Sequence, residues 1–296
     1  MTLGFAPGVF WLWLIYQRDR YIPAPPFLVV RTFLWGVAIS LPVVIVEGLL
    51  EAAGGVTLGQ GVPGDGSSLA GIAYTSFVVA GFTEEAAKFF VVHKTIFPSP
   101  YFRQPLDGVI FAAAGALGFA SIENVFYMAT FGPAVILVRG PFSTLAHVFF
   151  SVAWGYTLGL RKQRKGWPSL VALSVLSAMF LHGLFDFLLF LADPQYGVWA
   201  FALFIASGLV FLLIIMVSQR QSPYRHKVAA TLVTCPRCAS RIGFGAGFCT
   251  ACGQSLALAK TGLQFLCGNC NALVEKRHHF CTTCGSRLER RRPIGV

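Results

Sequence analysis

The chain has 296 residues, of which 55% are hydrophobic and 12% are charged, with a mean hydropathy of +0.67. An average soluble domain has about 25% charged residues, so this composition excludes an ordinary soluble protein and is typical of a polytopic membrane protein. The formal charge of +11 is unevenly distributed: residues 1–217 contain 11 Lys+Arg and 10 Asp+Glu, whereas residues 218–296 contain 12 and 2. The chain therefore divides into an apolar body and a basic tail.

Apolar runs in the body predict transmembrane helices, because a helix needs about 20 residues to cross the hydrocarbon core and satisfies its own backbone there. Seven such runs lie at 3–16, 28–50, 70–93, 107–130, 134–160, 168–192 and 197–217. No basic region precedes the first run and no small-residue cleavage site follows it, so we expect a retained helix and not a signal peptide. The predicted fold class is an all-α polytopic membrane protein of about seven helices.

The loop charges predict the orientation of this bundle. Lys and Arg occur on alternate loops, while the loops at 51–69, 131–133 and 193–196 contain neither residue. Because basic loops stay on the cytoplasmic side, we expect a multi-pass cell-membrane protein with its N-terminus outside and its tail in the cytoplasm. The predicted membrane domain covers 1–217, and a polar, basic linker follows at 218–234.

The third apolar run contains three charged residues within five positions, Glu84, Glu85 and Lys88. One ionised side chain at bilayer depth costs roughly 2.5–3.5 kcal/mol, so we expect these charges to face the bundle interior or a watery cavity. Lys88 follows the two glutamates by four and three residues, so it can reach one or both of them on a helix. The glutamates point about 100° apart and cannot perform the same function.

Three other runs contain costly polar residues that we expect to converge with these charges. They are Glu123 and Asn124 in the fourth run, His147 in the fifth, and His182 and Asp186 in the sixth. His182 and Asp186 are four residues apart, which suits a carboxylate that orients an imidazole. Tyr127 lies four residues after Glu123 on the same helical face.

Two further charged residues in the body have simpler interpretations. Arg139 lies near the outer end of its run, where its side chain can snorkel to the interface, so we assign it no role. Asp107 follows a proline at a helix start, where an anion complements the helix dipole, so we expect it to cap that helix.

Several motifs together resemble one family. E-E-x-x-K at 84–88, F-x-x-x-E-x-x-x-Y at 119–127, a histidine at 147 and H-x-x-x-D at 182–186 resemble the motif set of the PrsW intramembrane proteases. That family belongs to a superfamily with the prenyl-protein (CAAX) endopeptidases and the bacteriocin-processing enzymes. The resemblance includes DRYIPAP at 19–25, DGVIFAAAGALGFASIENVFY at 107–127 and HGLFDF at 182–187, so it covers nearly the whole body in order.

The resemblance implies a CAAX-protease-like bundle with glutamic-type endopeptidase activity and no catalytic cofactor. Its expected partners are the lipid bilayer and a membrane-anchored protein substrate, typically an anti-sigma factor. Glu84 and Glu85 match the paired glutamates of the family, and His182 matches the histidine of its last motif. The chain departs from the prenyl-protease branch twice, since Glu123 stands at the histidine of the second motif and Asp186 stands at the asparagine of the last.

Peptide hydrolysis requires a base for water, a donor for the carbonyl oxygen and an acid for the leaving amine. Our hypothesis is that Glu84 is the base, that Glu85 pairs with Lys88, and that His182, kept protonated by Asp186, is the oxyanion donor. Which glutamate is the base follows from the resemblance alone. The candidate catalytic residues are Glu84, Glu85, Glu123, His147, His182 and Asp186, and the supporting residues are Lys88, Asn124 and Tyr127.

Other interpretations of the same residues stay open at this point. The charges of the third run can form an interhelical ionic staple, and the Glu, His and Asp set can serve as the proton relay of a transporter. A metalloprotease would use Glu and His to bind zinc, although no H-E-x-x-H motif is present. A non-catalytic receptor that binds partners through its tail is a further alternative.

All eight cysteines lie in the tail, and their spacing repeats after 32 residues. Each unit has two C-x-x-C pairs separated by ten residues, which predicts a tetrahedral Zn²⁺ site of four thiolates. We expect tandem zinc ribbons at 235–256 and 267–288, each with one structural Zn²⁺ that stabilises its fold. The predicted ligands are Cys235, Cys238, Cys249, Cys252, Cys267, Cys270, Cys281 and Cys284.

The competing interpretation of the cysteines is a disulfide framework, which requires an oxidising compartment and conflicts with a cytoplasmic tail. The tail has a net charge of +10, from 12 Lys+Arg and 2 Asp+Glu. We expect it to bind a cytoplasmic protein or the anionic inner leaflet. Nucleic acid is not an expected partner, because the tail lacks an aromatic base-stacking platform and an arginine-rich recognition helix.

Overall fold

The computed structural model describes residues 2–55, 68–163 and 165–224, together with 232–234, 238, 240–243, 252, 264–266, 273–275, 280–281 and 284–288 of the tail. The chain divides into two compact units, Met1–Arg225 and His226–Val296.

The body is helical at all seven predicted runs. Within its described residues the helices are α1 Thr2–Tyr16, α2 Pro26–Ala53, α3 Leu69–Tyr74, α4 Thr83–Thr95, α5 Pro105–Phe131, α6 Ile136–Arg139, α7 Ser143–Lys162, α8 Pro168–Phe190 and α9 Pro194–Gln221. A π-helical segment, Thr75–Phe82, joins α3 to α4, and a short 3-10 turn, Pro133–Val135, precedes α6. Helix α9 continues to Gln221, so the first residues of the predicted linker are helical.

Four of these helices, α2, α5, α8 and α9, are long and apolar enough to cross a membrane. Helix α1 is apolar but shorter, and the segment Pro133–Arg139 with α7 adds a fifth span if the two are counted as one. Large apolar side chains of α2 and α9 are exposed, as on a surface that faces lipid; examples are Leu34, Ile45, Leu209 and Leu213. The body is therefore a multi-pass membrane domain.

The fifth predicted run is not one straight helix. Pro133–Arg139 and α7 meet at a bend of 42°. The carbonyl oxygen of Gly140, at the bend, accepts a 2.9 Å hydrogen bond from the indole N–H of Trp11 on α1. The bend leaves Arg139 buried in the bundle, which the continuous apolar pattern did not predict.

Helix α5 is the centre of the bundle and is buried along most of its length, where it packs against α1, α2 and α7. Small residues allow the backbones to approach closely, as is common between membrane helices. A Cβ atom added to Gly108 of α5 would lie 2.0 Å from the carbonyl oxygen of Gly155 on α7. The α5–α7 contact therefore requires glycine at this crossing.

Polar contacts join several helix ends at the end of the bundle predicted to be cytoplasmic. The backbone N–H of Gln104 donates to the carboxylate of Asp107 at 3.1 Å, and the side-chain oxygen of Gln104 accepts from Ser222 after α9 at 2.6 Å. Asp107 thus caps α5, as its position predicts. Asp19, between α1 and α2, is buried and accepts the N–H of Ala24 at 2.8 Å.

The described residues of the tail contain four short strands, which form two antiparallel pairs. They are β1 Leu232–Thr234, β2 Arg241–Gly243, β3 Gln264–Leu266 and β4 Leu273–Glu275. Val233 pairs with Ile242, and Phe265 pairs with Val274. The second hairpin repeats the first after 32 residues, in step with the cysteine spacing, and each hairpin encloses a C-x-x-C pair in the chain.

Candidate active site

Lys88 is the central cation of the polar cluster. Its Nζ lies 2.9 Å from Oε2 of Glu84, 2.9 Å from Oε1 of Glu85 and 2.9 Å from Nδ1 of His147. These three partners use all three N–H donors of the ammonium group. Lys88 is fully buried, and its Nζ also lies 4.6 Å from the ring centroid of Phe119. The lysine therefore joins α4 to α7 and shares its charge between two carboxylates.

Glu85 is enclosed by protein on all sides. Its Oε2 accepts hydrogen bonds from Ser151 at 2.8 Å and from the indole N–H of Trp154 at 3.1 Å, both on α7. Its Oε1 lies next to Lys88 and 3.3 Å from Nδ1 of His182. Both oxygens of Glu85 therefore have partners within the protein, as expected for a carboxylate with a structural role.

Glu84 has a different environment from its neighbour, because it lines a cavity of about 690 Å³ between α2, the π-helical segment, α5, α8 and α9. Its Oε2 lies 2.9 Å from Nζ of Lys88 and 3.7 Å from Nε2 of His182. The cavity lies toward the ends of α2, α5 and α8, opposite the end where Gln104 and Ser222 meet. Its wall mixes carboxylates with many apolar side chains, among them Val79, Phe126, Phe185 and Phe201.

His147 contacts residues of opposite charge through its two ring nitrogens. Nδ1 faces Lys88, and Nε2 lies 2.8 Å from Oε2 of Glu123 on α5. The other oxygen of Glu123 lies 2.7 Å from the guanidinium of Arg139, whose Nε donates to Oδ1 of Asn124 at 3.1 Å. These contacts form a continuous polar chain across α4, α7 and α5 to α6.

Arg139 does not snorkel to the membrane interface, contrary to our expectation from the sequence. The residue is buried, and its guanidinium carbon lies 3.6 Å from the ring centroid of Tyr127. Asn124 also donates to Oγ1 of Thr144 at 2.9 Å. Burial of a charge is offset here by Glu123, so the arginine turns inward instead of reaching the interface.

His182 faces both the paired glutamates and Asp186. Its Nε2 lies 3.4 Å from Oδ2 of Asp186, one turn later on α8, and its ring stacks at 5.5 Å on Phe150. The rings of His147 and His182 are 5.0 Å apart and nearly perpendicular. The structure therefore brings all six candidate catalytic residues into one connected cluster, with Glu84, Glu123 and Asp186 on the cavity wall.

Sequence reasoning missed two carboxylates on α2. Glu47 and Glu51 line the same cavity, and Oγ1 of Thr83, the residue before Glu84, donates to Glu47 at 3.3 Å. The available signal was the same one that identified Glu84, namely an ionisable residue in an apolar run. Ser151 and Trp154, which donate hydrogen bonds to Glu85, are not ionisable, so the same rule could not identify them.

Glu84, His147 and His182 have the donor set of a catalytic zinc site, and their ligand atoms lie within 4.8 Å of one another. However, the ammonium of Lys88 is 2.9 Å from both Oε2 of Glu84 and Nδ1 of His147. A divalent cation bound to those atoms would meet a fixed positive charge at close range. The residues present therefore do not fit a metal ion while Lys88 holds this position.

In the tail, four of the predicted zinc ligands lie among the described residues: Cys238, Cys252, Cys281 and Cys284. Cys235, Cys249, Cys267 and Cys270 lie outside them. Around the last pair the chain turns tightly, since Cys281 N–H donates to the oxygen of Ser286 at 2.8 Å and Gly285 N–H donates to the oxygen of Cys281 at 2.9 Å. Gly285 has a φ of +69°, which favours glycine there.

Comparison with known proteins agrees with this organisation. The profile described as "PrsW family intramembrane metalloprotease" matches residues 24–218, and the profile "Double zinc ribbon" matches 235–285. The chain is 34% identical over 199 residues to Protease PrsW of Geobacillus kaustophilus, covering 67% of this chain and 82% of that protein. It is 30% identical over 194 residues to Protease PrsW of Bacillus subtilis, covering 64% and 82%.

A third relative, Protease PrsW of Oceanobacillus iheyensis, is 28% identical over 216 residues, covering 73% of this chain and 91% of that protein. No solved structure matches the chain. Because these relatives are proteases by name, neither the transporter nor the receptor alternative is favoured. The PrsW profile covers most of the membrane domain, and the zinc-ribbon profile confirms a double zinc ribbon in the tail. The chain therefore belongs to the PrsW family of intramembrane proteases.

Proposed function

We propose that this protease hydrolyses peptide bonds of membrane-anchored proteins with a water molecule activated by Glu84, without a catalytic metal. The observation that carries the proposal is the different environment of the two glutamates. Glu84 lines the cavity, whereas Glu85 is fully buried and held by Lys88, Ser151 and Trp154. Only the first carboxylate has space beside it for water and a substrate carbonyl.

In the proposed reaction, Glu84 takes a proton from water as the water oxygen attacks the carbonyl carbon of the scissile bond. The resulting negative charge on the carbonyl oxygen requires a hydrogen-bond donor. We assign this role to the Nε2–H of His182, since Nε2 lies 3.7 Å from Oε2 of Glu84. When the C–N bond breaks, the protonated Glu84 returns the proton to the leaving amine. Asp186, 3.4 Å from the same nitrogen, keeps His182 protonated.

The remaining residues position these two groups. Lys88 fixes the carboxylate of Glu84 and offsets the buried charge of Glu85. His147 accepts from Lys88 through Nδ1, and its Nε2 lies 2.8 Å from Oε2 of Glu123, so both of its ring nitrogens face partners within the protein. We therefore assign His147 and Glu123 to positioning, and we assign the chemical steps to Glu84 and His182.

The family description names a metalloprotease. The position of Lys88 argues for the metal-independent alternative in this chain, because the ammonium already binds the lone pairs that a metal would need. Zinc belongs in our proposal to the tail, one structural ion per ribbon, where four cysteines per unit supply the ligands.

The proposed orientation places the N-terminus outside and the tail in the cytoplasm, from the loop charges. The cavity then lies toward the outer ends of the helices, so it would receive a substrate segment at the outer membrane surface. A first cleavage of an anti-sigma factor or a similar membrane-anchored regulator has this geometry. The ribbons would bind a cytoplasmic protein or inner-leaflet lipid.

The test uses the full chain in proteoliposomes with a panel of single-pass reporter proteins. Glu84→Gln keeps the shape and the hydrogen bond to Lys88 but removes the base, so cleavage should fall to background while the variant stays folded. Ser143→Ala changes a cavity residue with no assigned role and serves as the matched control. Full activity in Glu84→Gln would overturn the assignment.

A further inference from the structure

The α2 wall of the cavity carries two carboxyl groups that have no ion pair among the described residues. Glu47 and Glu51 are four residues apart on one face of α2, and both line the cavity. Glu47 accepts one hydrogen bond, from Thr83 at 3.3 Å. In the sequence, the whole stretch from 32 to 87 contains no Lys or Arg. No basic residue therefore lies within 15 positions of Glu47 or Glu51 along the chain, and Lys88 already pairs with Glu84 and Glu85.

The charge of the whole cluster shows the same imbalance. Six carboxylates lie in or directly behind the cavity, and the permanent cations among the described residues there are Lys88 and Arg139. The carboxylates are Glu47, Glu51, Glu84, Glu85, Glu123 and Asp186. Even with both active-site histidines protonated, the cluster has four cationic groups for six carboxyl groups. Because Arg139 pairs with Glu123, Lys88 with Glu84 and Glu85, and His182 with Asp186, the carboxyl groups left without an ion pair are the two on α2.

A second observation on the same wall is independent of these acids. Thr75, the first residue of the π-helical segment, lines the cavity and is only 7% exposed, and its hydroxyl has no hydrogen-bond partner among the described residues. The neighbouring Tyr74 donates to the carbonyl oxygen of Leu50 at 2.9 Å. That bond holds the start of the π-helical segment against the α2 turn that carries Glu51. A buried hydroxyl without a partner is free to bond a ligand in the cavity that the two carboxyl groups also line.

We propose that Glu47, Glu51 and Thr75 form a subsite that binds the side chain of a lysine or arginine in the substrate, close to the scissile bond. The proposal rests on the protease function proposed above. An ammonium or guanidinium group supplies several N–H donors, which match two carboxylates and one hydroxyl oxygen. Its positive charge pairs with the two α2 carboxylates, and the partly apolar surroundings of the cavity strengthen that attraction.

An organic cation fits this wall better than a metal ion. A bound divalent ion requires several protein ligands that converge within a few ångströms. Among the described residues, the group with that convergence is Glu84, His147 and His182, and it includes neither Glu47 nor Glu51. The connection from Glu47 through Thr83 to the adjacent Glu84 places the subsite next to the proposed base.

The experiment measures kcat/KM for a series of otherwise identical single-pass reporters that carry Lys, Gln or Glu at each position of the outer juxtamembrane segment. The wild type should cleave one Lys reporter about tenfold faster than its Gln counterpart and should discriminate further against Glu, as expected for a partly buried ion pair. The double variant Glu47→Gln/Glu51→Gln should lose this preference while still cleaving the Gln reporter. Glu51→Lys should reverse the preference, so that the Glu reporter is cleaved faster than the Lys reporter.

Asp193→Asn is the matched control, because Asp193 is an exposed carboxylate near the same end of the bundle and does not line the cavity. Asparagine keeps its role as the N-cap of α9 while removing the charge. Equal reporter preferences in the wild type and the Glu47/Glu51 double variant would overturn the subsite. A Glu84→Gln enzyme that still cleaves would instead overturn the proposed function, so the two failures are distinguishable.

Discussion

Nζ of Lys88 lies 2.9 Å from Nδ1 of His147, although the residues are 59 positions apart in the chain. An ammonium group only donates, so this imidazole nitrogen must carry the lone pair, and the proton of a neutral ring is on Nε2, which faces Glu123 at 2.8 Å. The tautomer of His147 is therefore set by its two neighbours. It links the charge on α4 to the carboxylate on α5.

We predict opposite effects for the two neighbouring glutamates. Glu85→Gln should lower the free energy of unfolding by about 3–5 kcal/mol, because its amide N–H₂ must face buried donors, either Lys88 or the pair Ser151 and Trp154. Glu84→Gln should unfold close to the wild type but lose cleavage. Thermal unfolding in detergent, together with reporter cleavage, separates the two. If Glu85→Gln were stable but inactive and Glu84→Gln were active, Glu85 would be the base and Glu84 the structural carboxylate.

The contact between Glu123 and His147 predicts a partial defect. In Glu123→Gln the amide oxygen can still face Nε2 of His147, but Arg139 loses its charged partner. We expect kcat to fall about tenfold and KM to stay within about twofold, as for a residue that positions the catalytic groups. Glu123→Ala should be far less active than Glu123→Gln. Equal loss in both variants would indicate that Glu123 itself takes part in the reaction.

Metal content gives a readout that does not depend on activity. The full chain should contain two zinc ions, both in the tail, and Cys281→Ser/Cys284→Ser should contain one. Glu84→Gln and His147→Ala should leave the zinc content unchanged, because Lys88 occupies the position that a metal would take. Elemental analysis of purified protein measures this stoichiometry. A third zinc ion that disappears in His147→Ala would overturn the metal-independent mechanism.

Close packing between the π-helical segment and α8 should control the placement of His182. A Cβ atom on Gly81 would lie 2.5 Å from the carbonyl oxygen of Met179 and 2.8 Å from the nitrogen of Gly183. Gly81→Ala should therefore push the π-helical segment away from α8. We expect a loss of about 1–3 kcal/mol in stability and a lower rate of reporter cleavage. Gly115→Ala is the control, since its added carbon meets Val92 at an ordinary 3.6 Å. Similar behaviour of the two variants would contradict the prediction.

The buried Asp19 predicts a pH dependence of the loop between α1 and α2. Burial raises the pKa of this carboxyl from 3.8 to about 7, with a further contribution from Asp107, while the N–H of Ala24 and the charge of Arg103 oppose the shift. A carboxyl with a raised pKa in the folded state contributes stability that is present below pH 3.8 and lost as the pH rises through about 7.

Asp19→Asn should therefore remove part of the decline in thermal stability that the wild type shows between these pH values. Unfolding temperatures measured across the pH series for both proteins give the difference, in which the other titrating groups largely cancel. Parallel curves for the two proteins would show that Asp19 ionises normally.

Hydropathy and spacing predicted the helices well, because apolar length is a local property. The spacing of Glu84, Glu85 and Lys88 also predicted their mutual contacts, since residues three and four apart meet on any helix. Arg139 was misjudged for the same reason: its burial depends on the bend at Gly140 and on Glu123 from another helix. Glu47 needed only the rule applied to the other intramembrane acids, but its link to Thr83 depends on packing.

The π-helical segment Thr75–Phe82 also sets the angular phase of α4. A π turn contains about one residue more than an α turn, so it rotates everything after it relative to everything before it. Winding the same residues as regular α-helix, with none deleted, would turn Glu84 by about 100° relative to Tyr74, since each α-helical residue adds that angle. The direction in which the paired glutamates point thus depends on one surplus residue located a turn or more upstream, in a stretch of otherwise unremarkable apolar sequence.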